Sequence, residues 1–256
     1  HLDIYGDKNA IEDSFREFAD KVTDKTKLFV PKGLPLEGLT IAINEEATFK
    51  AFNIRIENSS YVFDVQTSSE TIKNIAFGLP GHHNLMNALM ALAMAKTFGT
   101  PTSDIANALA SFKGVQRRFS YQIKSENLVY IDDYAHHPTE INAVHQAVRE
   151  LYPNQKVLAI FQPHLFSRTK DFADDFAKSL SQFDELLLMD IYPARELPME
   201  GITSEWLLSK VKNENKKLVQ KTDLISSILK SDAKIIVTIG AGDIGELVPK
   251  IKSALL

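Results

Sequence analysis

The feature that most limits what this chain can fold into is a rhythm that begins after Gly114. Short aliphatic runs at 128–131, 156–161, 185–190, 217–219 and 234–239 alternate with stretches of helical periodicity. Helices are predicted at about 138–151, 170–183, 204–211, 224–229 and from Asp243 onward. Runs of nearly continuous Val, Ile and Leu suit strands buried on both faces, and a helix between successive strands supplies the crossover that parallel pairing needs. The rhythm therefore predicts an α/β fold with a doubly wound, Rossmann-like parallel sheet over residues 114–256.

Residues 1–113 read differently. Ile11, Phe15, Phe18, Ala19 and Val22 fall at helical spacing and predict an amphipathic helix whose inner face needs a partner. Short runs at 27–30, 40–43, 52–57 and 61–66, separated by Gly33, Pro35, Gly38 and Asn58-Ser59, predict a small sheet with hairpins. Pro80-Gly81 marks a turn before a helix over 84–98, which Gly99 and Pro101 end. Thr102-Ser103-Asp104 is expected to cap another helix through Phe112. The change of pattern puts a domain boundary at Lys113-Gly114, dividing the chain into 1–113 and 114–256.

Composition removes several classes of function. Of 256 residues, 29 are Lys or Arg and 33 are Asp or Glu, a net charge of −4. With no basic excess to neutralise a phosphate backbone, nucleic acid is not an expected partner. The absence of Cys excludes disulfides, thiolate zinc sites and a cysteine nucleophile, and fits a reducing, intracellular compartment. The most apolar stretch, 85–95, is broken by Asn87 and is far shorter than the roughly 20 residues that cross a bilayer. The opening His1-Leu2-Asp3-Ile4-Tyr5-Gly6 has neither an initiator Met nor the basic and apolar regions of a signal peptide, so the chain is expected to start mid-protein.

In doubly wound sheets ligands sit beyond the carboxyl ends of the strands. The first strand runs into Asp132-Asp133-Tyr134-Ala135-His136-His137-Pro138 and the second into Gln162-Pro163-His164-Leu165-Phe166-Ser167-Arg168. If the two crossings are adjacent, Asp133, His136, His137, His164 and Arg168 share one rim; the alternative is a set of ordinary loop residues, with His137 and Pro138 opening a helix. Arg117-Arg118, at the expected domain junction, could clamp a phosphate or form an interdomain salt bridge. In Gly81-His82-His83-Asn84, with Asn87 one turn on, an Asn amide can both donate to and accept from an adenine edge, or cap the helix. Gly240-Ala241-Gly242-Asp243-Ile244-Gly245 matches the dinucleotide-binding G-x-G-x-x-G. That fingerprint also requires a following strand with an acid about 20 residues on, for which the sequence leaves no room, so the loop reads as a tight strand-to-helix turn. No G-x-x-x-x-G-K-[ST] occurs, so a phosphate cradle for ATP would lie elsewhere.

Taken in order, His1 to Gly6, Gly81 to Asn87, Gly114-Val115-Gln116-Arg117-Arg118-Phe119, Asp132 to Glu140, Gln162 to Thr169 and Gly240 to Ile244 resemble the Mur ligase family, in the branch that adds alanine to UDP-N-acetylmuramate. The resemblance implies the C-terminal portion of a central ATP-binding domain over 1–113, without its P-loop part, and a complete Rossmann-like C-terminal domain over 114–256. It implies an ATP- and Mg²⁺-dependent reaction in the bacterial cytoplasm. The muramate carboxylate becomes an acyl phosphate that the amine of L-alanine attacks, a step of peptidoglycan precursor synthesis. This segment alone would be inactive. UDP-N-acetylmuramate and L-alanine are the implied partners, with no nucleic acid, membrane or obligate protein partner.

By the same resemblance His1 is a ligand of a second Mg²⁺, and His83, Asn84 and Asn87 hold adenine. Arg118, with Arg117, reaches the ATP phosphates, and Asp133 meets the ribose. His136, His164 and Arg168 surround the amino acid and the acyl phosphate, with Arg168 on the alanine carboxylate. One position departs from the pattern: many relatives carry Arg where this chain has Leu165, which leaves Arg168 alone or assisted by Arg195. The competing readings are a non-catalytic nucleotide- or protein-binding module of this fold and a nicotinamide oxidoreductase resting on the glycine loop alone.

Overall fold

The computed structural model describes residues 8–57 and 60–256. Two compact units meet in sequence between Lys113 and Gly114.

The first unit opens with α1 (Lys8–Asp20) and a single 3-10 turn, Lys25–Lys27. Five strands follow: β1 (Phe29–Pro31), β2 (Leu39–Ile43), β3 (Phe49–Glu57), β4 (Ser60–Gln66) and β5 (Thr71–Phe77). They lie in chain order in one sheet, parallel across β1, β2 and β3 and antiparallel across β3, β4 and β5. The hairpin sheet expected from sequence thus describes only its second half. Parallel neighbours usually need a crossover of a dozen residues, yet residues 44–48 suffice between β2 and β3. Phe49 pairs with Ile41, so the chain steps back by only two residues. Asn44 turns the backbone at a φ of 60°, and Thr40 and Thr48 exchange backbone-to-hydroxyl hydrogen bonds across the turn.

The sheet packs beneath α2 (His82–Thr97) and α3 (Thr102–Ser111), where Leu85, Leu89, Leu92, Ile105 and Leu109 join Ile41, Phe63, Val65 and Ile75 in one core. Neither helix is capped as expected. Gly81, at a φ of 95°, precedes α2, and Pro101 precedes α3 with no side-chain cap; Thr102 instead accepts a hydrogen bond from Lys96. The periodicity of α1 is real, but Phe15 and Phe18 stay 63% and 68% exposed and only Ala19 is buried.

The second unit contains β6 (Ser120–Lys124), β7 (Val129–Asp133), α4 (Pro138–Leu151), β8 (Val157–Phe161), α5 (Phe166–Asp171), α6 (Ala173–Leu180) and β9 (Glu185–Leu188). It ends with α7 (Ser204–Lys210), β10 (Lys216–Leu218), α8 (Leu224–Ile228), β11 (Ile235–Ile239) and α9 (Ile244–Leu255). The sheet order is β10-β9-β8-β11-β7-β6, parallel throughout except for β6 at the edge. Where one helix was expected at 170–183, the chain forms two, broken at Phe172.

Alternation along the strands divides the aliphatic residues between two cores, which is why the runs are continuous. Val129, Ile131, Val157, Ala159, Phe161, Val237 and Ile239 face α4, α6 and α7. Tyr130, Leu158, Ile160, Leu187 and Ile236 pack with α8 and α9.

Phe161 has no exposed surface and lies 5.6 Å from the Phe176 ring, centroid to centroid. Phe161→Ala is expected to cost about 3–5 kcal/mol of the second unit's stability. Urea unfolding followed by fluorescence of Trp206, the only tryptophan, measures it.

Candidate active site

Parallel pairing brings three strand ends level. Ile239 of β11 pairs with Asp133 of β7 on one side and with Phe161 of β8 on the other. The condition that the two crossings be adjacent is not met, because β11 separates β7 from β8. The chain leaves β7 for β8, continues outward through β9 and β10, and returns into the gap. That reversal is a topological switch point, where doubly wound sheets open a ligand crevice.

The loop after β7 is organised by two buried carboxylates. Asp132 accepts hydrogen bonds from Thr238 Oγ1 at 2.8 Å and from Arg117 Nε at 3.2 Å. Asp133 accepts from the amides of Phe119 at 2.7 Å and Ala135 at 2.8 Å, fixing both the entry to β6 and the turn out of β7. Burial pushes its carboxyl up to about 6, against the pull of those two amides and of nearby Arg118. Arg118 is exposed and makes no ion pair among the described residues. His137 caps α4 through Nδ1, which accepts from the Thr139 amide, while Glu140 accepts from the amides of His136 and His137. His136 is not spent in this way. Its Nδ1 lies 2.9 Å from the Tyr134 carbonyl and 3.5 Å from Glu140 Oε2, both acceptors, so that nitrogen carries a proton and in the neutral ring Nε2 is the acceptor.

The loop after β8 carries the unsatisfied groups. His164 Nδ1 and Arg168 Nη1 are buried with no hydrogen-bond partner in the described structure. Such groups are costly unless something pairs with them. The His164 ring stacks on Tyr192 at 5.7 Å and lies 6.0 Å from the His136 ring. Burial, and then Arg168 and His136, hold the His164 pKa below the usual imidazole value, so the ring is neutral at pH 7. The segment after β9 binds this loop by main chain: Leu165 donates to Tyr192 O at 2.9 Å, and Tyr192 donates to Pro163 O at 2.8 Å. Tyr192 also lines a cavity of about 460 Å³ with Gln162, Met189, Val219, Lys221 and Asp243. Tyr192 and Glu196 were missed in the sequence; their one signal is that they follow a third strand of the same sheet. Arg195, in the same segment, is exposed, and its charge acts on His164.

The glycine loop after β11 makes room for the protein's own side chains. A Cβ at Gly242 would lie 2.4 Å from Gln162 Oε1 and 2.7 Å from Tyr192 Cβ; one at Gly245 would lie 2.6 Å from the Arg117 guanidinium. Gln162 in turn donates to Asp243 Oδ1 and accepts from the Ile244 amide, and Asp243 pairs with Lys221. Arg117 is committed as well. Beyond Asp132 it donates to Gly240 O at 2.5 Å and stacks over the Tyr134 ring at 4.9 Å, so its ion pair lies within the second unit.

In the first unit, Asn84 is buried in the first turn of α2 and donates from Nδ2 to Pro80 O at 2.7 Å, tying the helix to the preceding turn. His83 and Asn87 are exposed; Asn87, three residues on, shares the face of Asn84. His1 lies outside the described residues. Among the described residues no three His, Asp or Glu side chains converge to hold a metal ion, and no helix is long and apolar enough to cross a membrane.

Comparison with known proteins bears on both units. Residues 1–95 match the Mur ligase middle domain and residues 117–242 the Mur ligase glutamate ligase domain. The chain belongs to the Mur ligase family. It is 73% identical over 255 residues to a UDP-N-acetylmuramate–L-alanine ligase of Flavobacterium johnsoniae and 65% identical over 256 residues to one of Christiangramia forsetii. In each case all of the chain is covered, and it spans 57% of the relative's length. A crystal structure of a UDP-N-acetylmuramate-alanine ligase from Thermotoga maritima matches the fold with a TM-score of 0.80 at 25% identity, over all of this chain and 57% of that one. In this chain the glycine loop packs closely against Gln162, Tyr192 and Arg117.

The Asp133 carboxyl, with its pKa raised above the ordinary 3.8, is expected to titrate near pH 6 in carbon-13 NMR of the folded protein. The sign follows: its contribution to stability is complete below about pH 3.8 and is lost as the pH rises through 6. The stability difference between the parent and Asp133→Asn should shrink over that window. A midpoint at or below 4 contradicts the burial argument.

Proposed function

We propose that the protein containing this chain is an ATP-dependent ligase that joins L-alanine to the carboxylate of UDP-N-acetylmuramate, in the bacterial cytoplasm, as a step of peptidoglycan precursor synthesis. The observation that carries the reading is the pair of buried, unpartnered groups at the tip of β8, His164 Nδ1 and Arg168 Nη1, beside the His136 ring. A guanidinium with a free nitrogen is suited to a carboxylate, and a neutral imidazole beside it to an amine or a phosphoryl oxygen. The alanine ligases among the relatives support the same chemistry.

In this reading Arg168 binds the alanine carboxylate and thereby orients the amine. His136 Nε2 accepts a hydrogen bond from that amine, and a proton as the C–N bond forms and the acyl C–O bond breaks to release phosphate, while Nδ1 stays bonded to the Tyr134 carbonyl. His164 donates a hydrogen bond from its ring N–H to an oxygen of the activated carboxylate. Its proximity to Arg168 disfavours a second positive charge, so it acts as a dipole. ATP, when bound, supplies the phosphoryl group that activates the muramate carboxylate. His83, Asn84 and Asn87 are assigned to the adenine, with Asn84 Oδ1 as the available acceptor because Nδ2 is bonded to Pro80 O. Arg118 is assigned to the phosphates. Arg117 assists by holding the loop from which Arg118 projects. Asp133 meets the ribose side through the backbone turn it fixes, since both of its oxygens already accept amides. His1, outside the described residues, is the proposed Mg²⁺ ligand.

The test is Arg168→Ala in the intact protein. Loss of a charge-assisted hydrogen bond, about 1.5–3 kcal/mol, should raise the KM for L-alanine about tenfold to a hundredfold while leaving the KM for ATP within about twofold. Equal losses for both substrates, or none for alanine, overturn the assignment.

A further inference from the structure

We propose that Glu196 is a positioning residue that sets Arg168 by capping α5 from a distant loop; the inference rests on the assignment of Arg168 to the amino-acid carboxylate. Helix α5 is six residues long, too short to hold its own geometry in water. The usual device, a Ser, Thr, Asp or Asn at the N-cap, is missing. Leu165 occupies that position at a φ of 73°, in the left-handed region, with its side chain buried and no capping bond.

The missing acceptor arrives from 29 residues further on. Glu196 Oε2 accepts from the Ser167 amide at 3.0 Å, and Oε1 accepts from the Ser167 hydroxyl. Although burial opposes it, the bonds from Ser167 and the Phe166 amide, together with the charge of Arg168, hold the Glu196 carboxyl below the ordinary carboxylate range. The group is thus an anion at neutral pH, the form that caps a helix start best. The loop that carries it is docked on the same strand end by the two main-chain bonds between Tyr192 and the 163–165 segment.

Arg168 follows Ser167 directly, within the same turn. Glu196 acts on the guanidinium through space, but its bonds go to the helix end. The division of labour matters: a carboxylate paired with Arg168 would compete with a substrate carboxylate, whereas one bonded to the backbone fixes the arginine and leaves Nη1 without a partner. Glu196 touches no reacting atom in this account.

The experiment compares Glu196→Ala, Glu196→Gln, Ser167→Ala, Arg168→Ala and the double variant of Glu196→Ala with Arg168→Ala in the intact protein. Glu196→Ala should raise the KM for L-alanine about fivefold or more, with kcat and the KM for ATP within about twofold. Glu196→Gln, which keeps one acceptor oxygen, should recover part of the loss. The double variant should be no worse than Arg168→Ala alone, because both changes act on one contact. Independent of substrate, the Arg168 Nε–Hε NMR signal should broaden in Glu196→Ala.

An unchanged alanine KM in Glu196→Ala, equal rises for alanine and ATP, or losses that multiply in the double variant would overturn the proposal. If Glu196→Ala does not fold, judged by Trp206 fluorescence, Glu196→Gln and Ser167→Ala carry the same comparison. If Arg168→Ala leaves the alanine KM unchanged, the carboxylate assignment has failed; the NMR signal then still reports whether Glu196 positions the arginine.

Discussion

The hydrogen-bonded insertion of β11 between β7 and β8 is the constraint on which the rest of the second unit depends. Because both pairings are parallel and in register, Asp133, Phe161 and Ile239 end at one level. Everything with chemical content then projects from that level: His136 after the first strand, His164 and Arg168 after the second, the glycine turn after the third. A shift of one residue in either ladder would reverse the faces of β11 and exchange its aliphatic residues between the two cores. The two cores therefore enforce the alignment that the site uses.

A second layer of polar contacts stiffens this rim. Asp132, Thr238, Arg117 and the Gly240 carbonyl form one partly buried network, and the glycines let Gln162, Tyr192 and the Arg117 guanidinium approach the backbone where a Cβ would collide. Buried polar groups of this kind are tolerated only when they are paired, and here they are. Among the described residues the buried orphans His164 Nδ1 and Arg168 Nη1 stand out against that background, because the surrounding structure had the means to satisfy polar atoms and did so elsewhere.

How much of this is legible in the sequence depends on burial. Strands covered on both faces announce themselves as unbroken aliphatic runs, so β7, β8, β9 and β11 were readable. Strand β6 was not, because Tyr121, Gln122 and Ile123 are only partly buried at an edge and carry no such run. Strand β5 was hidden by Asn74, which sits at a φ of 58° where its pairing with β4 slips and the alternation breaks. Strand order has no local signature at all, and the insertion of β11 could not be foreseen. In the site, His136, His164 and Arg168 come from loops whose polarity was visible, whereas Glu196 belongs to no motif. The sequence left Arg117 between a phosphate clamp and an interdomain salt bridge, because its partners Asp132 and Gly240 lie 15 and 123 residues away.

The second sheet has two borders. One is β10, three residues long and bearing Lys216 and Lys217; the other is β6, which runs against its neighbour and ends at Lys124. Short, lysine-bearing margins offer a poor template for another chain to zip onto. Strands this rich in Val and Ile would be an aggregation hazard if they lay at the rim, and the fold keeps them in the middle.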